Sequence, residues 1–253
     1  LRLVVTNKRK LSDDGIKRVL KRLEIEPAQA NGFEILVKAN QAPNLDDRLR
    51  LWEHFISLKP KTHKAQVVQD SFHFLSRFIN MPLLNLLRQP GVSQNPQDLA
   101  TMLGTSVDRV LEALQSHARL GLIQYKPDGT IIVVHELPAT TDDLPNVAIQ
   151  SFHKQALENA IEAIRLPVTE REFQSVAISL SPEALTHLKK RIRQVADEIE
   201  QLYGGSQKDS EKVYLCNLNL IPVTTSFIRK PKNLSRQKDG VQVDSKEIPH
   251  EVL

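Results

Sequence analysis

Basic side chains are concentrated at the start of the sequence. Only Asp13 and Asp14 oppose the eight Lys and Arg residues between positions 2 and 22, which are Arg2, Lys8, Arg9, Lys10, Lys17, Arg18, Lys21 and Arg22. A local excess of positive charge attracts nucleic-acid phosphates. An ordinary solvated helix face is the alternative, because basic helix surfaces are common. The stretch is therefore a first candidate for a phosphate-binding surface.

A second candidate lies between positions 107 and 126. A helix over residues 107–119 would leave one polar face, made of Asp108, Arg109, Glu112, Gln115, Ser116 and Arg119. We predict DNA contacts from Arg109, Gln115 and Arg119, and from Lys126 in a following turn. The two carboxylates would also face a polyanion, so contact with another protein is the alternative.

Signatures of catalytic and metal sites are missing from the sequence. The eight histidines are scattered, and none forms an H-E-x-x-H or other close metal pair. The glycine-rich nucleotide motifs and the serine-hydrolase G-x-S-x-G motif do not occur either. We therefore predict a protein that is not an enzyme, with no cofactor and no metal.

Composition places the chain among globular proteins of two or three compact units. Of its 253 residues, 40% are hydrophobic and 25% are charged. No apolar run approaches the roughly 20 residues of a membrane helix, and the start lacks the pattern of a signal peptide. The single cysteine, Cys216, suits a reducing compartment. We predict a soluble cytoplasmic protein that does not bind membranes.

Helical patterns fill the first predicted domain, residues 1–58. Ser12 is a plausible N-cap, followed by apolar residues at helical spacing from Ile16 to Leu23. A second helix should begin at Pro27 and a third after Asn44. The polar stretch 59–64, which contains Pro60, is interpreted as a linker.

The second predicted domain, residues 66–137, has the pattern of a winged helix. Helices over 67–88 should break near Asn80 and Pro82. A short helix then opens at 95–96 and ends at Gly104, and a longer one is capped by 105 or 106 and ends at Gly121. Two strands, 122–125 and 130–134, flank an Asp-Gly turn. A helix-turn-helix pair followed at once by a hairpin is far more specific for a winged helix than the helix pair or the hairpin alone.

A β-α-β unit is predicted in the third domain, residues 146–228. An amphipathic helix covers 149–164, strands alternate over 173–180 and 213–223, and Ser181 caps the helix between them. That helix carries a narrow seam, Leu185, Leu188, Ile192, Val195, Ile199 and Leu202. The seam suits packing on a sheet, which we favour, or a coiled coil.

Two strands alone form a marginal sheet, so the β-α-β unit needs further partners. The strands should pair with other parts of the chain or with a second protomer, and we predict a homodimer. The polar residues 229–253 are predicted to form a flexible tail. The predicted fold class is thus mainly α with small β elements: a partial helix-turn-helix, a central winged helix and a C-terminal α+β domain.

Several segments resemble one known family. Residues 3–25, LVVTNKRKLSDDGIKRVLKRLEI, resemble the end of the recognition helix, the basic loop and the fourth helix of Cro-like (XRE-type) helix-turn-helix domains. Together with FEILVKANQA at 33–42, HARLGLIQ at 117–124, AIQSFHKQALENA at 148–160 and YLCNLNLIPVT at 214–224, the chain is similar to a family of uncharacterised bacterial proteins. Its members are identified by homology as transcriptional regulators with a C-terminal domain of unknown function.

The resemblance implies a role for the basic loop. Asn7, Lys8, Arg9 and Lys10 match the family's loop, which contacts the DNA backbone. Two helices precede this region in Cro-like domains, so the main base-reading side chains are expected upstream of Leu1. We predict a dimeric regulator that binds double-stranded DNA, with an unknown effector. The alternative is a signalling or scaffold protein that uses the winged-helix and C-terminal domains to bind a protein or ligand.

Overall fold

The structure is a computed structural model, described here for residues 10–59, 62–134, 146–205 and 210–225. These residues form nine helices and one two-stranded antiparallel sheet, so the mainly helical class with small β elements is confirmed. In chain order the elements are α1 Asp13–Arg22, α2 Pro27–Gln41, α3 Leu45–Ser57, α4 His63–Ser76, α5 Asn80–Arg88, α6 Pro96–Met102, α7 Val107–Arg119, β1 Ile123–Tyr125, β2 Ile131–Val133, α8 Asn146–Ala163 and α9 Pro182–Tyr203.

The chain divides into two units, residues 1–218 and 219–253. All the helices and strands just named belong to the first unit. In the second unit the description covers residues 219–225, which adopt no helix or strand. The predicted tail, 229–253, lies outside the described residues.

Polar side chains begin the helices at the predicted positions. Ser12 accepts a hydrogen bond from the backbone of Gly15, and Asn44 accepts one of 2.8 Å from the backbone of Asp47. Of the two predicted caps for α7, Ser106 is the one used, with its Oγ 3.4 Å from the Arg109 nitrogen. Each cap satisfies a backbone donor that the first helical turn leaves unpaired.

Two glycines end the helices α6 and α7. Gly104 has φ +61° and Gly121 has φ +72°, left-handed conformations that side-chain-bearing residues rarely adopt. The nitrogen of Thr105 donates to the Ala100 carbonyl at 3.0 Å, and that of Leu122 donates to the His117 carbonyl at 2.9 Å. This six-residue closure is the Schellman motif. It turns the chain sharply from α6 into α7, and from α7 into β1.

The hairpin β1–β2 follows directly and is held at its turn and at one edge. Ile123 pairs with Val133 and Tyr125 with Ile131. Gly129, with φ +84°, completes the turn, and Asp128 Oδ1 accepts a hydrogen bond of 2.9 Å from the Thr130 nitrogen.

The outer edge of β2 is occupied by a side chain. The Gln94 amide donates to the Ile131 carbonyl at 2.8 Å, and its oxygen accepts from the Ile131 nitrogen at 2.7 Å. A side-chain amide therefore replaces the strand that is missing at this edge.

Helix α4 contributes to two hydrophobic cores. Phe74 joins the core that α5, α6, α7 and the hairpin form, around Leu83, Leu99, Val110 and Ile123. Phe72 joins the other, with Ile56 of α3 and with Val147 and Ala148 of α8. Helices assigned to three different predicted domains, α3, α4 and α8, thus share one core.

The placement of α8 bears on the predicted domain bounds. Although the sequence assigns this helix to the C-terminal domain, it packs on α3 and α4. Gln155 donates to the Ser76 carbonyl at 2.6 Å and accepts from the Phe78 nitrogen at 3.2 Å. These two bonds attach α8 to the connection between α4 and α5, close to the predicted break. The bounds 1–58, 66–137 and 146–228 stay predictions, and α4 begins at His63, inside the predicted linker.

The predicted β-α-β unit is not formed, which corrects that interpretation. Its helix exists as α9, capped by Ser181 as predicted. The segments 173–180 and 213–223 adopt no strand, and Val176 is 81% exposed. Strands need ladder partners, and a two-stranded sheet is marginal by itself. The described chain supplies no third strand to support it.

The turn of the hairpin generates a first prediction. No atom lies within 4 Å of a Cβ built on Gly129, so replacing it with Ala costs only the strain of positive φ. We expect Gly129→Ala to lower the free energy of unfolding by about 1–2 kcal/mol in urea denaturation. Gly205→Ala, which has equal space and no positive φ, is the matched control. Equal stability of the two variants would contradict this account of the turn.

Candidate nucleic-acid interface

Helix α7 buries one side and exposes the other. Val110, Leu114 and His117 face the core. The exposed residues are Asp108, Arg109, Leu111, Glu112, Gln115 and Arg119. Ser116, predicted on this polar face, is instead buried, because at 100° per residue it falls beside Ala113 and His117 on the apolar side.

Arg109 and Gln115 are available on the exposed face. Arg109 stands in the first turn of α7, and its backbone nitrogen is occupied by the Ser106 cap. Within the described residues, neither side chain forms an ion pair or a side-chain hydrogen bond. Both predicted contact residues are thus positioned on a rigid helix and remain free to bind a ligand.

Arg119 is held by a buried carboxylate of α4. Its Nε lies 2.8 Å from Asp70 Oδ2 and its Nη2 lies 2.6 Å from Asp70 Oδ1. Side-chain exposure is 46% for Arg119 and 3% for Asp70. The hydrogen-bonded pair raises the pKa of Arg119 above its ordinary value. The structure therefore gives this predicted DNA contact a second role, which is fixing α7 on α4.

A second ion pair crosses the same helix interface at its exposed edge. Arg77, the residue that follows α4, lies 2.8 Å from Glu112 of α7. With Glu112 and Arg119 both paired, Asp108 and Arg109 are the charges of the α7 face that have no ion-pair partner among the described residues. The helix surface is therefore close to electrically neutral.

Lys126 lies at the hairpin turn and is exposed. Its backbone nitrogen donates to the Thr130 carbonyl at 2.8 Å. The hydrogen bond from the Thr130 backbone lowers the pKa of neighbouring Asp128, and the charge of Lys126 acts in the same direction. The turn thus carries one ammonium group and one carboxylate.

The basic loop at the start is described only at its last residue. Asn7, Lys8 and Arg9 lie outside the described residues. The Lys10 ammonium donates to the Gln41 carbonyl at 2.7 Å, at the C-terminus of α2. The basic residues of α1, which are Lys17, Arg18, Lys21 and Arg22, are all exposed opposite buried Ile16, as predicted.

Sequence reasoning missed buried His117 and half-buried His73. His117 of α7 packs against Phe74, with ring centroids 5.2 Å apart, and neither ring nitrogen has a hydrogen-bond partner. Burial lowers the pKa of His117 to about 4. Burial also lowers the pKa of His73, with a smaller contribution from Arg77. The burial of His117 could have been predicted from spacing, since this residue lies three and four positions after the core residues Leu114 and Ala113.

Asp70 and Gln94 were also missed, although they hold α7 and the hairpin in place. Asp70 comes three residues after Val67 and four before Phe74, so it interrupts the apolar stripe of α4. A charge on such a stripe indicates a buried pair. Gln94 carries no comparable signal, because its partner is the backbone of β2.

The described residues contain neither a metal-binding cluster nor a membrane-spanning helix. No group of three or more His, Cys, Asp or Glu side chains there is arranged to hold a metal ion. None of the described helices has the length and apolar character needed to cross a membrane. Cys216 is exposed and unpaired.

Comparison with known proteins finds one similarity. A family model described as a domain of unknown function, DUF4423, matches residues 58–223. No curated protein and no solved structure matches the chain. The matched segment spans every element from α4 to α9, including the exposed face of α7 and the hairpin.

The Asp70–Arg119 pair generates a second prediction. Arg119→Ala leaves a buried carboxylate without its cation, and we expect it to cost about 3 kcal/mol of unfolding free energy. Asp70→Asn on that background should recover about 1 kcal/mol, because a neutral amide is cheaper to bury. Arg77→Ala is the matched control, since its partner Glu112 is exposed and such pairs contribute about 0–1 kcal/mol.

Denaturant unfolding of the three variants and the parent measures these differences. Equal losses from Arg119→Ala and Arg77→Ala would show that the Asp70 pair does not anchor α7.

Burial of His117 generates a third prediction, on pH dependence. The folded state holds the neutral imidazole, so its contribution to stability is complete above pH 6.5 and is lost as the pH falls toward 4. At pH 4.5 the loss is about 2–3 kcal/mol. His117→Leu should remove this part of the loss of stability at low pH. A smaller loss should remain, because burial also lowers the pKa of His73.

Urea unfolding at pH 7.0 and 4.5 tests the prediction, with His187→Gln on the exposed surface of α9 as the control. An unchanged decline in His117→Leu would contradict it.

Proposed function

Because the chain belongs to the DUF4423 family, whose domain of unknown function covers residues 58–223, we propose that it is a DNA-binding transcriptional regulator. The proposed DNA-reading module is a winged helix made of α6, α7 and the β1–β2 hairpin. We place it in the bacterial cytoplasm and assign it no catalytic activity. In this proposal the segment before α2 is the end of a Cro-like domain.

The observation that carries the proposal is the order of elements around an unpaired arginine. A short helix, a glycine turn, a capped second helix and a hairpin follow each other without interruption. In helix-turn-helix proteins the second helix enters the major groove with its N-terminal residues on base edges. Arg109 is exposed in that first turn and has no ion-pair partner among the described residues.

Roles can be assigned to the candidate residues by their surroundings. Arg109 suits a bidentate contact with guanine, and Gln115, six residues later, suits adenine or a phosphate. Lys126 suits a phosphate contact from the hairpin turn. Arg119 supports the site mainly through Asp70, since its guanidinium is already engaged.

The basic surface of α1 supplies further phosphate attraction. Lys17, Arg18, Lys21 and Arg22 are exposed on one helix. The loop Asn7–Lys10 is assigned the same role by its resemblance to Cro-like domains, where the loop contacts the DNA backbone. Phosphate contacts of this kind fix register and add affinity without reading sequence.

A specific feature of α7 favours a second candidate, a scaffold or signalling protein. The exposed face carries Asp108 beside Arg109, and two apolar side chains are exposed nearby, Leu111 at 40% and Met102 at 48%. A neutral surface with exposed apolar groups is typical of protein contacts more than of phosphate contacts. In that case a partner protein would bind α6 and α7.

Binding to duplex DNA provides the fourth prediction. Fluorescence anisotropy would use duplexes that the full chain selects from a randomised pool. Arg109→Ala should weaken binding about 5- to 150-fold, as expected for loss of a base contact. Lys126→Ala should weaken all duplexes similarly and reduce the salt slope by about one. Arg165→Ala removes the same charge from a loop outside the module and should change neither value.

Two outcomes would count against the regulator. One is the absence of any selected or bound duplex at low salt. The other is equal weakening by Arg109→Ala and Arg165→Ala, which would reflect net charge alone. Capture of a partner protein that Leu111→Ser abolishes, with no DNA binding, would establish the second candidate instead.

A further inference from the structure

Helix α9 carries an apolar seam that the described chain does not bury. The seam residues are Leu185, Leu188, Ile192, Val195, Ile199 and Leu202. No residue of the helix is buried: the first five seam residues are half-buried, and Leu202 is 68% exposed. Most helices in proteins gain their stability from the packing of an apolar face rather than from intrinsic propensity. The half-buried seam of this 22-residue helix therefore offers further apolar area for packing.

The spacing of the seam indicates that this partner is another helix. Successive residues are separated by alternating steps of three and four, so they occupy a and d positions of three heptads. Leu185, Ile192 and Ile199 stand at a, and the others at d. Such a seam accepts knobs from one facing helix, whereas packing on a sheet uses a wider stripe. The sheet predicted under this helix is not formed.

Charge along α9 is divided between its two halves. After Glu183 in the first turn, the N-terminal part carries Lys189, Lys190, Arg191 and Arg193, and the C-terminal part carries Asp197, Glu198 and Glu200. The last turn holds no basic residue, the reverse of what the helix dipole favours. A second α9 in antiparallel orientation would place each basic part beside an acidic part. A parallel one would place like charges together.

One register aligns both the seam and the charges. With the two-fold axis near Arg193 and Gln194, Leu185 layers with Leu202 of the partner subunit, Leu188 with the partner's Ile199 and Ile192 with the partner's Val195. Each layer then joins one a position to one d position, as antiparallel pairs require.

The same register brings the flanking g positions together. Arg191 faces Glu198 of the partner subunit, and symmetry repeats the contact. Within one chain Arg191 Nη1 already lies 3.2 Å from Glu198 Oε1, so both side chains occupy one edge of the helix. In a parallel pair the same arginine would instead face Ala196.

We propose that α9 is a homodimerisation helix, which pairs with α9 of a second copy as an antiparallel coiled coil flanked by two Arg191–Glu198 contacts. The occupant of the seam is a second copy because the charge pattern is complementary to itself only in this arrangement. The helix is about 33 Å long. The inference does not depend on DNA binding, since α9 lies outside α6, α7 and the hairpin.

Charge reversal with the full chain tests the proposal, and is the fifth prediction. Sedimentation velocity over a range of concentrations measures the dimer dissociation constant. Arg191→Glu alone and Glu198→Arg alone should each weaken the homodimer about tenfold or more, because each creates two like-charge contacts. An equimolar mixture of these two variants should form a heterodimer, since both contacts become opposite in sign. The double variant should restore the homodimer.

Controls come from the opposite face of the same helix. Lys190→Glu and Asp197→Lys make equal changes of charge at f positions, away from the seam, and should leave the dissociation constant unchanged. Circular dichroism at the working concentration checks that every variant is folded.

Three outcomes would overturn the proposal. They are a chain that stays monomeric at all concentrations, a dimer that Arg191→Glu and Glu198→Arg leave intact, and a mixture that fails to form a heterodimer. DNA affinity of Arg109→Ala is measured separately, so failure of the dimer leaves the proposed function independently testable.

Discussion

The bidentate ion pair between Asp70 and Arg119 determines where α7 lies, and the proposed site depends on that position. A carboxylate as deeply buried as Asp70 must be paired, because an isolated charge in the interior is very costly. Arg119 satisfies both of its oxygens, and Gln66 adds a longer contact of 3.3 Å. The pair links the helix that contributes to both cores with the helix that carries the exposed face.

The same pairing sets the electrostatic character of that face. Arg119 is neutralised by Asp70 of α4 and Glu112 by Arg77, which follows α4, so Arg109 and Asp108 remain as the unpaired charges on α7 within the described residues. A surface of this kind cannot attract a polyanion strongly by net charge. If it reads DNA, it does so through a few placed groups on a rigid helix, with phosphate attraction supplied by the basic face of α1 and by the hairpin turn.

Local signals made much of the fold predictable from the sequence, whereas contacts between residues far apart in the sequence could not be predicted. The caps Ser12, Ser106 and Ser181 and the terminating Gly104 and Gly121 act within one helical turn, so reading them requires no knowledge of tertiary structure. The partner of Asp70 lies 49 residues away, and local periodicity cannot identify it. Strand propensity at 173–180 indicated a conformation whose pairing partners do not occur among the described residues.

The proposed pairing of two α9 helices bears directly on the proposed function. A single copy has a net charge of +4 and one weakly charged α7 face, which together give little affinity for DNA. Two copies joined about a two-fold axis would present two such faces to half-sites related by the same symmetry. Once one face is bound, the second binds at a high effective concentration, so the two contacts reinforce each other without any new interaction. A module with modest electrostatics can therefore act as a specific DNA reader if dimerisation through α9 supplies what each copy lacks.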